Sequence, residues 1–130
     1  MKNTINQMSK NKILVIDDEP NVCSFLAEYL VYKGFETRIS QSGFEALQLI
    51  EAEDFDLILL DLIMPGMNGI EFLEIMKEMD RKIPVIIVTG LRDKNVANDT
   101  MEKGAVDFIP KPIDLDRLEQ SLIINIKNLK

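Results

Sequence analysis

Four short apolar runs, each leading to a polar side chain, constrain the fold of this chain more than any other feature of its sequence. The runs ILVID, DLILL, PVIIV and VDFI are rich in Val, Ile, Leu or Phe, which is typical of strands buried in a parallel sheet. With a fifth strand-like run, the predicted strands lie near residues 12–17, 35–39, 56–61, 84–89 and 105–109. Helical patterns follow them near residues 20–32, 43–53, 68–79, 93–103 and 114–129.

Five βα units in series predict an α/β fold with one doubly wound domain. Because crossovers between parallel strands are right-handed, we expect helices on both faces of a parallel five-stranded sheet, which gives a (βα)5 three-layer sandwich. Pro20 stands where a first helical turn begins, and Gly34 and Gly104 follow helix ends. We expect a flexible tail over residues 1–11 and a single folded domain over residues 12–130.

The composition excludes several classes of function. The chain has no His, which removes catalysis by Ser-His or Cys-His pairs and metal sites built on imidazole. Its formal net charge of −7 argues against direct binding of nucleic acid by this domain. The single Cys fits a reducing compartment, and no apolar stretch approaches the roughly 20 residues that span a bilayer. We therefore expect a cytoplasmic protein without a membrane segment.

Polar side chains at the ends of the predicted strands are the candidate functional residues. Asp17 and Asp18 follow the first strand, Asp61 the third, Thr89 the fourth and Lys111 the fifth. Taken singly, each has a structural explanation, since aspartates cap helices, threonines end strands and most lysines are surface cations. Because the carboxyl ends of parallel strands meet at one edge of a sheet, where open α/β folds bind ligands, we expect all five to lie together.

Such a group of side chains suits the transfer of a phosphoryl group to a carboxylate. Three clustered carboxylates repel one another and need a cation, and oxygen ligands suit Mg²⁺, for which we expect that Mn²⁺ can substitute. A carboxylate can also act as a nucleophile and form an aspartyl phosphate. A divalent ion, a lysine ammonium and a threonine hydroxyl would then neutralise the charge on the phosphoryl oxygens.

The motifs ILVIDDEP, LILLDLIMPGMNG, IIVTG and DFIPKP occur in this order, and together they resemble the receiver domain of a two-component response regulator. The resemblance covers residues 12–130 and implies a flavodoxin-like sheet with the strand order 2-1-3-4-5. It implies a signalling protein that accepts a phosphoryl group from a histidine kinase or a phosphotransfer protein and then switches its partner-binding surface. Such a domain is not an enzyme in the usual sense, although it assists its own phosphorylation and dephosphorylation.

The resemblance also assigns roles around a metal ion. At the matching positions, Asp61 is the phosphoacceptor and a metal ligand, and Asp18 is a direct ligand of Mg²⁺. Asp17 acts on the ion through water, and the main-chain carbonyl of Ile63 is a further ligand. All of these ligand atoms are oxygens, which Mg²⁺ prefers.

A second set of residues is implied to bind the phosphoryl group and to transmit the signal. Thr89 and Lys111 match the residues that bind the phosphoryl oxygens, and Lys111-Pro112 matches a cis peptide bond of the family. Thr89 and Phe108 match a hydroxyl and an aromatic ring that change position together. The alternative for Phe108 is that its ring only fills the fifth strand.

Three helices carry apolar residues that bear on partner binding. The expected core face of the first helix consists of Val22, Phe25, Leu26, Tyr29 and Leu30. Apolar residues beyond this face predict either a docking surface for a kinase or phosphotransfer helix, or a deeper packing groove. The stripe of the fourth helix that we expect to be buried is short and consists of Val96, Ala97, Thr100 and Met101. Ile124 points away from the core side of the last helix. We therefore expect an effector domain, a target protein or a phosphorylation-dependent homodimer to use the face of helix 4, strand 5 and helix 5.

A small flavodoxin-like or phosphatase-like enzyme is the alternative from a different class. A flavodoxin needs a phosphate loop rich in Ser, Thr or Gly after its first strand, where this chain has Asp-Asp-Glu-Pro. A phosphatase with an aspartate nucleophile usually has a second carboxylate two residues later, where this chain has Ile63. Both motifs disfavour the enzyme.

Overall fold

A computed structural model describes residues 10–130, which form five βα units in series. The strands are β1 (Lys12–Ile16), β2 (Glu36–Ser40), β3 (Leu57–Leu60), β4 (Val85–Thr89) and β5 (Asp107–Pro110). The helices are α1 (Pro20–Tyr32), α2 (Gly43–Ala52), α3 (Gly69–Glu78), α4 (Lys94–Glu102) and α5 (Leu115–Asn125). Most of the tail predicted over residues 1–11 lies outside the described residues.

The five strands form one parallel sheet in the order β2-β1-β3-β4-β5. This sheet confirms the predicted fold class and strand order. β1 lies between β2 and β3, and its last residue, Ile16, is paired with Ser40 on one side and with Leu60 on the other. The carboxyl ends of β1 and β3 are therefore neighbours, although about forty residues of chain separate them. Within residues 10–130, no helix is both long and apolar enough to cross a membrane.

Alternate residues of each strand face two separate cores, because successive side chains of a strand point to opposite sides of the sheet. In β1, Ile13 and Val15 belong to the core beneath α1 and α5, whereas Leu14 and Ile16 belong to the core beneath α2 and α3. The helices supply further buried residues, which are Leu26, Leu30, Leu118 and Leu122 on the first side and Ala46, Ile50, Phe72 and Met76 on the second. Burial of each Leu, Ile or Phe side chain is worth about 1.5–3 kcal/mol, so both helical layers hold the sheet.

The buried face of α1 is rotated from the face that the sequence predicts. Cys23, Leu26 and Leu30 are buried, whereas the predicted core residue Phe25 is 49% exposed. The Cys23 thiol donates a hydrogen bond to the main-chain carbonyl of Asp17, at a sulfur–oxygen distance of 3.1 Å. Because Cys23 and Phe25 are about 200° apart on a helix, burying the thiol against the end of β1 turns the phenyl ring outward.

The helix α4 is held by much less buried surface than the other helices. Thr100 is its only buried residue, and Met101, which the sequence places in the buried stripe, is 44% exposed. Few buried apolar contacts lower the free energy of local opening. The side of the domain formed by α4 is therefore the one best suited to change position.

The last helix is shorter than predicted because the chain after it folds back on the start of β1. α5 ends at Asn125 rather than at residue 129. Asn11, which the sequence places in the tail, is buried, and its side chain donates a hydrogen bond to the carbonyl of Asn128 and accepts one from the amide of Lys130. These two bonds hold residues 127–130 in a non-helical conformation.

The first residue of α3 lies against the chain that leaves β3. Asn68 caps the helix, because its side chain accepts from the Glu71 amide while the Glu71 side chain accepts from the Asn68 amide. A Cβ atom on Gly69 would lie 2.7 Å from the Cα atom of Leu62 and 2.9 Å from the main-chain oxygen of Asp61. Only glycine fits here without movement of the segment that carries Asp61.

Gly69→Ala is expected to destabilise the domain by about 1–3 kcal/mol, because the new methyl group must displace main-chain atoms rather than a flexible side chain. Gly90→Ala is the matched control, since a Cβ atom there meets nothing within 4 Å. We expect the control to change the free energy of unfolding by less than about 0.5 kcal/mol. Urea denaturation followed by circular dichroism measures both values. Equal stability of the two variants would contradict the close approach at Gly69.

Candidate functional site

The candidate site lies at the carboxyl edge of the sheet, where four strands end. Asp17 follows β1, Asp61 follows β3, Thr89 is the last residue of β4, and Lys111 follows β5. Asp17, Asp61 and Thr89 are buried, with exposed fractions of 2%, 4% and 0%. The fold therefore encloses polar groups from distant parts of the chain at one end of the sheet, as open α/β folds do at their ligand sites.

The ammonium group of Lys111 holds the acidic part of the site together. Its Nζ atom lies 2.8 Å from Oδ2 of Asp17 and 3.0 Å from Oδ2 of Asp61. A third, more exposed carboxylate, that of Glu19, lies 3.4 Å from the same atom. Because buried charges are costly unless they are paired, the contacts with this cation offset the cost of burying the two carboxylates.

Main-chain groups fix the two buried aspartates in place. The second oxygen of Asp17 accepts from the amide of Glu19 at 3.0 Å, and the second oxygen of Asp61 accepts from the amide of Ile63 at 3.2 Å. The amide of Asp61 donates to the carbonyl of Ile16 across the β1–β3 pair. Each carboxylate is thus oriented by its own loop on one oxygen and by Lys111 on the other.

The pKa values of the site follow from burial and from this pairing. Burial raises the pKa of Asp17 above its ordinary value, and the hydrogen bond from Lys111 offsets only part of that effect. Burial alone would lower the pKa of Lys111, but the hydrogen bonds and charges of Asp17 and Asp61 outweigh it and raise the pKa. Burial, followed by the charge of Asp17, raises the pKa of Cys23 to about 11, so the thiol keeps the proton that it donates to the Asp17 carbonyl.

One carboxylate that the sequence analysis did not select belongs to this group. Oxygen atoms of Asp17, Glu19 and Asp61 all lie within 4.8 Å of one another, whereas Asp18 is not part of that cluster. Asp18 is half-buried and lines the open pocket above the cluster. The run Asp-Asp-Glu was the available signal for Glu19, which is also the N-cap residue of α1.

An open pocket leads from solvent to Asp61. It has a volume of about 240 Å³ and is lined by Asp18, Glu19, Asp61, Ile63, Gly90 and Lys111. Oxygen-only donors with several negative charges fit a hard divalent cation such as Mg²⁺, which keeps part of its water shell. The residues present therefore suit the metal that the sequence predicts, and the pocket gives a phosphoryl group access to the carboxylate.

The two predicted switch residues lie on the neighbouring strands β4 and β5. The Thr89 hydroxyl accepts a hydrogen bond from the amide of Leu91, at 3.3 Å, within its own loop. Phe108 is paired with Ile87 across the sheet, and its half-buried ring packs against the core beneath α2 and α3. The peptide bond between Lys111 and Pro112 is cis, as the resemblance implied.

Comparison with protein families identifies the domain type. A family model described as the response regulator receiver domain matches residues 13–123. Receiver domains are signalling phosphoacceptors that bind Mg²⁺ at an acidic site and switch their partners. The match includes every candidate residue named above.

Three similar proteins illustrate the match. Sporulation initiation phosphotransferase F of Bacillus subtilis is 36% identical over 115 residues, which are 88% of this chain and 93% of that protein. Regulatory protein AtoC of Escherichia coli is 38% identical over 108 residues, which are 83% of this chain but only 23% of that protein. The solved receiver domain of a Francisella response regulator is 30% identical and superposes with a TM-score of 0.85, covering 91% of this chain and 98% of that one.

Lys111→Met is expected to lower the free energy of unfolding by about 3–5 kcal/mol at pH 7, because it leaves two buried carboxylates without a cation. The loss should shrink as the pH falls. Without the ammonium the pKa of Asp17 rises further above its unfolded value, so the folded state takes up a proton before the unfolded state does. Urea denaturation between pH 7 and pH 4 measures the trend.

Lys103→Met is the matched control for this prediction. Lys103 also contacts two carboxylates, at 2.9 Å from Asp99 and 3.9 Å from Glu74, but these pairs lie on the surface. The control should change stability little and without a comparable dependence on pH. A pH-independent loss in Lys111→Met would contradict the role of Lys111 in compensating the buried aspartates.

Proposed function

Because this chain belongs to the response regulator receiver domain family, we propose that Asp61 is the residue on which it is phosphorylated. The observation that carries the proposal is the position of Asp61. Its carboxylate is buried, lies 3.0 Å from the Lys111 ammonium, and is reached from solvent through the open pocket. A nucleophile needs this combination of access and a neighbouring cation to receive a phosphoryl group.

The proposed reaction is a transfer from a phosphohistidine to the Asp61 carboxylate. One oxygen of Asp61 attacks phosphorus while the bond from phosphorus to the donor nitrogen breaks, and the electron pair of that bond stays on the nitrogen. Lys111 then binds a phosphoryl oxygen in place of part of its contact with Asp61, and the Thr89 hydroxyl binds another. These groups neutralise the charge that spreads over the equatorial oxygens, so the domain assists its own phosphorylation. Hydrolysis of the aspartyl phosphate by water, which dephosphorylates the domain, uses the same groups.

The metal site is part of the proposal. Asp18 and Asp61 would bind Mg²⁺ directly, Asp17 would act through water, and the carbonyl of Ile63 would complete the protein ligands, with Mn²⁺ as a substitute. When bound, the ion supplies positive charge at the phosphoryl oxygens. The oxygen-rich pocket supports this arrangement, and Glu19 is an additional carboxylate within reach of Asp17 and Asp61.

Thr89 and Phe108 form the proposed switch. Movement of the Thr89 hydroxyl towards a phosphoryl group would free space beside β4, and the Phe108 ring would follow by repacking. The half-buried position of the ring supports this proposal, because a side chain between core and solvent can exchange the two environments at low cost. The loosely held helix α4 lies next to β5 and would shift with the ring.

The proposed partners fall on two surfaces. A histidine kinase or phosphotransfer protein would bind beside the site, where an apolar groove of about 330 Å³ is lined by Val22, Phe25, Pro112 and Ile113. An effector domain, a target protein or a homodimer formed on phosphorylation would use the α4-β5-α5 face, on which Ile124 is 78% exposed. Direct contact with nucleic acid or membrane is not part of the proposal, and a cytoplasmic location remains a prediction. The chain spans nearly all of one curated relative and about a quarter of the other. An effector domain or target protein that carries the signal further is therefore also a proposal.

Asp61→Asn is expected to abolish labelling by acetyl phosphate in the presence of Mg²⁺, because an amide oxygen is not a nucleophile for phosphorus. Intact-protein mass spectrometry under conditions that preserve acyl phosphates measures the labelled fraction. Asp80→Asn is the matched control, since this exposed aspartate lies on the opposite end of the sheet, and it should be labelled like the original chain. Retained labelling of Asp61→Asn would contradict the assignment.

A pair of variants decides which acidic neighbour binds the metal. Asp18→Asn is expected to weaken Mg²⁺ binding by about tenfold or more, and Glu19→Gln by less, because Glu19 is the more exposed of the two and bonds weakly to Lys111. Isothermal titration with Mg²⁺ alone measures both affinities. A larger loss in Glu19→Gln would contradict Asp18 as the direct ligand and transfer that role to Glu19.

A further inference from the structure

The loop between β4 and α4 is tied to the main chain of Lys111 by one side chain. A guanidinium nitrogen of Arg92, Nη2, donates a hydrogen bond to the carbonyl oxygen of Lys111 at 2.8 Å. The amide of Lys111 donates to the carbonyl of Thr89, also at 2.8 Å. The main chain of Lys111 is therefore bound on both sides by the segment from Thr89 to Arg92.

The two ends of the Arg92 bond differ in how firmly they are held. Lys111 is fixed by the pairing of β4 with β5 and by the bonds from its ammonium to Asp17 and Asp61. The loop at the other end is open: Gly90 is exposed, a Cβ atom there would meet nothing within 4 Å, and α4 buries only Thr100. If the two ends separate, the loop is the part that moves.

The Thr89 hydroxyl is coupled to this loop. It accepts a hydrogen bond from the amide of Leu91, so the hydroxyl and the loop are bonded in the state described. For Thr89 to bind a phosphoryl group on Asp61, its hydroxyl must turn towards that group and donate to a phosphoryl oxygen. The loop, which is bonded to the same hydroxyl through the Leu91 amide, must move with it. The Arg92 bond is 2.8 Å long, so a loop shift of about 1 Å relative to Lys111 would lengthen it to a distance at which no hydrogen bond forms.

We propose that Arg92 is a positioning residue that holds the β4–α4 loop in its resting position and opposes the movement of Thr89 that accompanies phosphorylation. The proposal rests on the proposed role of Thr89 and adds a regulatory contact to it. A hydrogen bond made only in the resting state stabilises that state by the net free energy of the bond. Phosphorylation must supply this free energy to shift the domain out of the resting state. For a hydrogen bond at the surface this corresponds to an effect of about two- to tenfold on the binding of a phosphoryl group.

The test compares binding of beryllofluoride, a stable phosphoryl analogue, to Arg92→Ala and to the unsubstituted chain in excess Mg²⁺. Arg92→Ala is expected to bind the analogue about two- to tenfold more tightly, because the bond that opposes the bound state is gone. Lys94→Ala is the matched control: it removes one positive charge two residues further on, from a residue at the exposed start of α4. Loss of that charge alone should weaken binding of an anion slightly.

A second measurement distinguishes the proposed positioning role of Arg92 from a general structural role. In the absence of beryllofluoride, hydrogen exchange at the amides of residues 90–93 should be faster in Arg92→Ala than in Lys94→Ala, while exchange in β1 and β3 stays the same. Equal or weaker binding of the analogue by Arg92→Ala would overturn the proposal, as would an equal gain in Lys94→Ala. Failure of the unsubstituted chain to bind beryllofluoride would instead contradict the phosphoacceptor site itself, and with it the proposed role of Arg92.

Discussion

The ammonium of Lys111 between two buried carboxylates is the interaction on which the site depends. Asp17 and Asp61 come from neighbouring strands, and without a cation their charges would repel each other in a region with little water. Lys111 compensates both charges with one ammonium group, which is carried on a long unbranched side chain. A phosphoryl group or a divalent ion can therefore share or replace its contacts without unfolding the edge of the sheet.

The scaffold around this contact is rigid on one side and loose on the other. The β1–β3 side is fixed by main-chain hydrogen bonds to both aspartates and by the close approach of α3 at Gly69. The β4–α4 side has an exposed glycine, a short loop and a helix with a single buried residue. In the proposed function, the transfer of the phosphoryl group uses the fixed oxygens on one side of the pocket, and the switch uses the loosely held segment on the other side.

Much of the fold could be predicted because its signals are local and repeat five times. Apolar runs, helix starts and glycines after helices gave the element order, and motif resemblance gave the strand order. The wrong predictions concern residues whose burial depends on tertiary packing. The periodicity of α1 left several core faces available, and the contact between Cys23 and the end of β1 selected one that exposes Phe25. Likewise Asn11 was placed in a tail because nothing in its local sequence indicates its bonds to residues over a hundred positions away.

The sequence by itself determined which chemical groups stand at the ends of the strands, because the alternation of strands and helices places Asp17, Asp61, Thr89 and Lys111 at one edge. Only the tertiary structure decided how these groups meet. It joined Asp17 and Asp61 through one ammonium, added Glu19 to their cluster, and tied Arg92 to the Lys111 carbonyl. Distances of this kind depend on side-chain conformations and on the relative tilt of separate loops. These distances therefore cannot be predicted from the pattern of residue types along the chain.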